Sequence, residues 1–339
     1  NFEEKKAVGQ IKKFFSKFGK ISSSKKAVKE VQTTPQILLH FKETDQTHLA
    51  LGVRTFDLFH QEKYPLAVET YQKILSLAET EEEKALVYFQ IGELNFNYLN
   101  DMASALSAYK TILEKYPNSN STLISEASAR IGDCFLAQGQ LDSAFTVYDN
   151  LLKSNRRGIK VEELDFKIAE IYFYNKDFDT ALVLYTQIVN DFPKGVYVND
   201  CLEKIDLINT VGPTSSELEL YSLALWLSVQ RKYESALEKL EKIASDKNSP
   251  VADKAVYDKA LIYQKQKSWD LALREFDLVV STFPKSFYAP LALKTKGDIY
   301  YINLKDEAKA QAAYQKILDD YPKALFLDEV RQKLKNLAR

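Results

Sequence analysis

One small residue recurs through most of this chain and limits what it can become. Alanine stands at Ala67, Ala105, Ala144, Ala181, Ala236, Ala272 and Ala310. Four residues after each comes a bulky side chain: Tyr71, Tyr109, Tyr148, Tyr185, Leu240, Phe276 and Tyr314. Three residues further stands an aliphatic one: Ile74, Ile112, Leu151, Ile188, Ile243, Val279 and Ile317. Spacings of four and three mark one face of a helix. Upstream of six of these alanines is a second small residue, at Gly92, Gly132, Ala169, Ala224, Ala260 and Gly297. Small residues on facing helices let the backbones approach closely, and the bulky residue fills the gap behind. Most of the alanines are 36 to 39 residues apart; Ala181 to Ala236 holds an insertion. A unit of that length is one helix–turn–helix, which buries its apolar face only by stacking on its neighbours. Glycine (10) and proline (9) are scarce in the 339 residues, as an all-helical body requires. Prolines at Pro117, Pro193, Pro284 and Pro322 stop second helices, since proline cannot donate and clashes with the preceding turn. Asp142, Asp179, Glu234 and Asp270 fall in or beside the first turn of second helices, where the helix dipole favours negative charge.

The unit is clearest at Ser281–Pro322: a Pro-Lys-Ser turn, a helix with Ala292, Gly297, Tyr300 and Tyr301, a break at Asn303–Asp306, and a second helix with Ala310, Tyr314 and Ile317. Over residues 65–339 the chain resembles the tetratricopeptide repeat. The period exceeds the usual ~34 residues of that repeat. The excess lies in Pro-x-Ser linkers such as Pro117-Asn118-Ser119 and Pro284-Lys285-Ser286. This resembles the repeat style of bacterial cell-envelope proteins, which implies a periplasmic or outer-membrane-associated setting. The resemblance also implies an α-solenoid of about six units whose first helices line a concave groove. The groove positions are Phe89, Glu93, Phe96, Asp133, Phe166, Glu170, Phe173, Tyr221, Tyr257, Asp298 and Tyr301. Their aromatics would cover apolar side chains of a peptide, and Glu93, Asp133 and Glu170 would face basic groups. The basic clamp with which some relatives hold acidic C-termini is not visible.

Residues 1–64 do not follow the repeat. Val8, Ile11, Phe14, Phe15 and Phe18 predict an amphipathic helix over Glu3–Phe18, with lysines on its other face. Such a helix suits a packed apolar stripe under a solvated lysine face; a peripheral membrane contact is the alternative. Gln36–Phe41 and Thr47–Phe56 are β-rich and read as a strand pair, giving a small α+β segment. Pro65–Ala78 then lacks a first helix of its own and leans on this segment. Residues 1–68 resemble part of a non-catalytic subdomain of pitrilysin/insulinase-type zinc metallopeptidases. The carriers are Asn1-Phe2, then Glu43-Thr44-Asp45-Gln46-Thr47-His48 leading into Leu49-Ala50-Leu51-Gly52, then Phe59-His60 and Lys63-Tyr64-Pro65-Leu66. The resemblance implies a fusion or a truncated remnant that caps the first repeat. Those enzymes hold zinc with a His-x-x-Glu-His helix; His40, His48 and His60 have no such spacing.

Asp200–Thr210 reads as an additional helix, and the turn Gly212-Pro213-Thr214-Ser215-Ser216 as a boundary. The domains are thus 1–64, 65–211 and 212–339. Phe326–Leu337 reads as a capping helix with Arg331, Lys333, Lys335 and Arg339 on its polar side. Lys+Arg (46) and Asp+Glu (47) nearly balance, so no overall charge signal for nucleic acid exists. Cys134 and Cys201 lie far apart, without metal-site spacing. No apolar run is long enough to cross a membrane. Phosphate loops, nucleophile elbows and paired Cys/His are absent, so no catalytic residue, metal or cofactor is expected. The reading is a non-enzymatic scaffold that binds a protein or peptide through a concave face. The alternatives are an accessory remnant of a metallopeptidase and a structural spacer in an envelope assembly.

Overall fold

The computed structural model describes residues 46–337 except 155–157, 159 and 247. The expected helix at Glu3–Phe18 and strand at Gln36–Phe41 lie outside the described residues. Within them the chain is helical throughout. The helices run as α1 (Gln46–His60), α2 (Tyr64–Leu77), α3 (Glu81–Leu94), α4 (Met102–Lys115), α5 (Ser121–Ala137), α6 (Leu141–Lys153), α7 (Val161–Tyr174) and α8 (Phe178–Asp191). They continue as α9 (Val198–Val211), α10 (Ser216–Val229), α11 (Tyr233–Ala244), α12 (Ala252–Lys265), α13 (Trp269–Thr282), α14 (Tyr288–Asp298), α15 (Glu307–Asp320) and α16 (Leu327–Leu337).

Seven helix pairs emerge: α1/α2, α3/α4, α5/α6, α7/α8, α10/α11, α12/α13 and α14/α15, with α9 and α16 single. The first pair corrects the sequence reading. Thr47–Phe56 is not a strand but lies in α1, which is the missing first helix of α2. Thr55 (1 % exposed) and Leu58 (9 %) turn one face of α1 toward the core that holds Ala67, Tyr71 and Ile74 of α2. β-branched residues and Gly52 suggested a strand, but burial at helical spacing along a 15-residue stretch outweighs their weak local preference.

Each pair is joined by the same tight turn. The residue before the second helix's N-cap is left-handed in six pairs with a side chain, at Glu62, Asn100, Lys176, Arg231, Lys267 and Lys305; in the α5/α6 turn it is Gly139. Asp101, Asp177 and Asp306 then cap α4, α8 and α15, each accepting from the backbone N–H three residues on at 3.0–3.1 Å. Four second helices end on an aromatic C-cap immediately before proline, at Tyr116, Phe192, Phe283 and Tyr321.

Two first helices differ at their C-terminal ends. Residues Asn95–Leu99 after α3 and Ile299–Asn303 after α14 form single π-helical turns. The reason is one added residue. Nine positions separate Gly92 from Asp101 and Gly297 from Asp306, whereas eight separate Ala169 from Asp177. A π turn takes up one extra residue without breaking the helix.

The described residues fall into two compact units. One holds α1–α6; the other holds α7–α16 together with Gly139–Leu141. The turn at Gly212 lies inside the second unit. In the first, one apolar cluster joins Tyr71, Ile74, Val87 and Leu94, and another joins Tyr109, Ile112, Ile124 and Cys134. In the second, the largest cluster runs from Phe173 and Tyr185 through Cys201 and Tyr221 to Leu240.

The close approach is literal. A Cβ on Gly92 would stand 2.5 Å from the Tyr109 ring, and Gly132 and Gly297 face Tyr148 and Tyr314 in the same way. These rings are fully buried and cannot swing aside. Gly92→Val should therefore lower the stability of the first unit by about 1–3 kcal/mol through overpacking, measured by urea unfolding. A conservative Ile112→Val should cost only about 0.5–1.5 kcal/mol.

Candidate functional site: the first-helix face

The residue after the small one in each first helix is the key to this face. Where it is acidic, the bulky residue of the second helix is tyrosine. The Tyr109 hydroxyl donates to Glu93 Oε1 at 2.6 Å, Tyr148 to Asp133 Oδ1 at 2.7 Å, and Tyr314 to Asp298 Oδ1 at 2.5 Å. Tyr185 donates to Glu170 Oε1 in a short bond, and Tyr174 donates to its Oε2 at 2.6 Å. Where the residue is apolar, at Leu225 and Leu261, the second helix supplies Leu240 and Phe276, which have no hydroxyl. The ring sits against the small residue while its hydroxyl satisfies the neighbouring carboxylate.

A cation from a following helix completes three of these pairs. Arg130 of α5 reaches Glu93 through Nε at 2.8 Å and Nη2 at 3.1 Å, and also bonds Asp133 at 3.0 Å. Lys204 of α9 reaches Glu170 at 2.7 Å. Lys333 of α16 reaches Asp298. Burial alone would raise the Glu170 carboxyl, but Lys204 and the two tyrosine hydroxyls outweigh it and hold the group below its ordinary value. Burial likewise works against the charge on Arg130, and Glu93 and Asp133 overcome it. Burial pushes the Tyr109 and Tyr185 hydroxyls far up, and the adjacent carboxylates add to this, so both remain donors. The carboxylates expected to face a basic ligand are thus held by side chains of the repeats themselves. Lys333, assigned from sequence to the polar side of the cap, holds Asp298 in the same way.

The aromatic positions are covered from the linkers. Tyr197, Tyr288 and Phe326 each stand four residues after a proline, in Pro193-Lys194, Pro284-Lys285 and Pro322-Lys323. Tyr197 stacks on Phe166 with ring centres 4.7 Å apart and 22° between planes, and Tyr288 lies 5.3 Å from Tyr257. Phe326 receives the Lys294 ammonium 5.9 Å from its centre.

Inside the second unit the first-helix face carries a second polar cluster. Lys254 of α12 is paired with Glu203 of α9 and stands 3.8 Å from Asp258. Tyr288 donates to Glu203 at 3.1 Å, and Tyr221 donates to Asp258. Burial would lower Lys254, but Asp258, Tyr221 and Glu203 keep it charged, well above its ordinary range. Burial raises Asp258, and Lys254 and Tyr221 only partly offset this. Adjacent residues of α9 therefore face two neighbours: Lys204 joins α7, and Glu203 joins α12 and α14.

Of the eleven residues expected to line a groove, Phe89 (7 % exposed), Glu93 (6 %), Phe173 (0 %) and Tyr221 (0 %) offer no surface to a partner. This corrects their assignment: the next helix or linker lies over them. Phe96, Asp133, Phe166, Glu170, Tyr257 and Asp298 are half-buried. Tyr301 alone is exposed, at 43 %, and beside it in the π turn and its C-cap are Ile302 (56 %) and Leu304 (40 %). The signals that sequence reading missed are the coupling of acid to tyrosine and the Pro-Lys-x-x-aromatic linker.

Among the described residues no cluster of His, Cys, Asp and Glu could hold a metal ion, and no helix is long and apolar enough to cross a membrane. Cys134 and Cys201 are buried free thiols, and burial pushes Cys201 up to about 12.

A family model for the tetratricopeptide repeat matches residues 86–119, 126–156, 163–195 and 296–324. Those four stretches are tetratricopeptide repeats. The four matched repeats are those with the acid–tyrosine pair; α10/α11 and α12/α13, with leucine in place of the acid, lie outside the match. Among solved structures, the chain is similar to a tetratricopeptide repeat protein from Parabacteroides merdae. Identity is 14 %, over 87 % of this chain and 100 % of that one, with a TM-score of 0.40. It is also similar to the TPR2AB domain of yeast Sti1 in complex with pHSP90, at 15 % identity, 86 % and 98 % coverage and TM-score 0.30. A third is YrrB, a TPR protein described as having an unusual peptide-binding site, at 16 % identity, 66 % and 98 % coverage and TM-score 0.30. No curated protein matches the chain.

Two outcomes test the geometry. Glu93→Leu leaves the half-buried Arg130 with Asp133 alone and strands the buried Tyr109 hydroxyl, and should destabilise by about 3 kcal/mol, whereas Tyr109→Phe should cost about 1 kcal/mol; urea unfolding separates them. Because Glu170 is lowered in the folded chain, its contribution is present above the ordinary carboxyl value of 4.5 and is lost as pH falls through the lowered one. The stability gap between wild type and Glu170→Gln should accordingly be wide at neutral pH and close in acid.

Proposed function

We propose that the chain is a non-catalytic scaffold that binds a protein or peptide at the free end of its first-helix face. One observation carries the reading: Tyr301, Ile302 and Leu304 form a contiguous exposed apolar group, while the other first-helix aromatics of the repeats are buried or half-buried. Contiguous exposed apolar side chains on a soluble surface mark interaction sites more often than single ones do. The half-buried Asp133, Phe166, Tyr257 and Asp298 contribute edges to the face rather than its centre. The paired acids and tyrosines of the repeats are satisfied internally, which suits a rigid support and not proton transfer.

A displayed random peptide library panned against the folded chain tests this. Selected peptides should bind wild type and lose at least tenfold in affinity, about 1.4 kcal/mol, to Tyr301→Ser/Ile302→Ser. Both residues are exposed, so the variant should keep its helicity. Failure of the folded wild-type chain to enrich any sequence over a scrambled pool would refute the scaffold reading.

A further inference from the structure

The second unit contains the same arrangement twice, once covered and once open. The stretches 192–208 and 321–337 correspond residue for residue: an aromatic, Pro and Lys (Phe192-Pro193-Lys194; Tyr321-Pro322-Lys323), then Tyr197 or Phe326, then Cys201 or Val330, both 0 % exposed. Lys204 and Lys333 each stand eleven residues after the proline, and each reaches the acid of the preceding first helix. The lone helix α9 is therefore the same kind of closing helix as α16.

The first helices they close also correspond. Phe173 and Tyr174 stand four and five residues after Ala169, as Tyr301 and Ile302 stand four and five after Gly297. Lys176 precedes the capping Asp177 as Lys305 precedes the capping Asp306, and both lysines are left-handed, with φ of 65° and 55°.

In the first arrangement a further helix, α10, lies on this surface. The Ser222 hydroxyl donates to the Phe173 carbonyl at 2.6 Å. The Trp226 ring stands edge-on to Tyr174 with centres 5.5 Å apart. Lys176 Nζ donates to Glu219 Oε2, in the first turn of α10, at 2.6 Å. In the second arrangement, where the π turn adds one residue before the lysine, the side chains at this end are open: Tyr301, Ile302 and Leu304 are 40–56 % exposed, and Lys305 forms no ion pair with the described residues. An apolar pair flanked by a lysine is what α10 covers in the first arrangement, where Glu219 of α10 takes the ammonium.

We propose that the surface formed by Tyr301, Ile302, Leu304 and Lys305 takes an amphipathic helix of a partner protein, apolar on one face and with a carboxylate in its first turn. This rests on the scaffold reading and names the class of its ligand. The carboxylate meets Lys305, an aromatic or aliphatic side chain one to two turns on covers Ile302, and small or hydroxyl residues between them allow close approach over Tyr301. The mode is a helix laid on an apolar ridge and read at i, i+3 and i+7, the spacing of Glu219, Ser222 and Trp226.

The test uses the full chain and a fluorescein-labelled peptide of the α10 sequence, SELELYSLALWLSV, followed by anisotropy. Wild type should bind it. Ile302→Asp should weaken binding roughly tenfold or more, and Lys305→Glu several-fold; the peptide carrying Glu219→Lys should prefer Lys305→Glu over wild type. Lys176→Glu should leave the measured affinity unchanged, which separates this surface from displacement of the chain's own α10. Thermal unfolding of each variant shows that the fold is retained. No binding of the peptide to wild type, or binding blind to the charge exchange, overturns the proposal. Library-selected ligands insensitive to Ile302→Asp and Lys305→Glu would overturn it too, yet leave the chain a scaffold. A concentration-dependent dimer in sedimentation that Lys305→Glu abolishes would assign the surface to a second copy and equally overturn the partner helix.

Discussion

The structure depends on the contact between a tyrosine ring and a missing side chain. Gly92, Gly132 and Gly297 let a second helix come close enough for Tyr109, Tyr148 and Tyr314 to lie flat against the first. That depth of burial would strand the hydroxyl, because an unpaired polar group in the interior is costly. The acid one residue beyond the glycine accepts it. The acid is then a wholly or partly buried charge, and in three repeats a following helix answers with Arg130, Lys204 or Lys333. Steric, hydrogen-bonding and ionic requirements thus follow from one another, and in those three repeats the last of them ties the pair to the helix that follows.

Repeats α10/α11 and α12/α13 show the same architecture without the charge. Leu225 with Leu240, and Leu261 with Phe276, fill the space that acid and tyrosine fill elsewhere. Replacing a buried polar set wholesale by apolar groups of similar volume can be neutral, whereas removing one member is not. Both solutions stand side by side in this chain. The charge omitted from those repeats reappears around them, at Lys254, Glu203 and Asp258, where α9 meets α12 and α14.

Much of this was legible in the sequence. The alanine and glycine positions, the proline stops, the added helix at α9 and the closing helix α16 all follow from helical spacing and breakers. Two things were not. Thr47–Phe56 carries Val53, Thr55 and Phe56, whose local preference is for strands, and only its packing on α2 reveals the helix. The internal pairing of the acidic row was harder to see, because most of what holds Glu93, Asp133 and Glu170 comes from outside their own helices. The partners of Glu93 lie on other helices: Tyr109 sixteen residues on, and Arg130 thirty-seven. A column-by-column comparison of the six pairs from α3/α4 onward exposes the link, since acid and tyrosine change together in them. The single π turns were legible as well, as one extra residue between glycine and aspartate, but only once the repeats are set in register.

Those π turns bear on how such an array changes over time. A single inserted residue ordinarily rotates everything downstream by about 100° and would carry every core side chain out of place. At Asn95–Leu99 and Ile299–Asn303 the added residue is absorbed within one widened turn, and Ala105, Tyr109, Ala310 and Tyr314 still reach the core. The junction between first and second helix therefore works as an expansion joint. Length can vary there while the interlocking positions on either side stay in phase, and the variation surfaces as new side chains at the rim, as Ile302 does. Mutation at such a joint can alter what the surface displays without having to rebuild what lies beneath it.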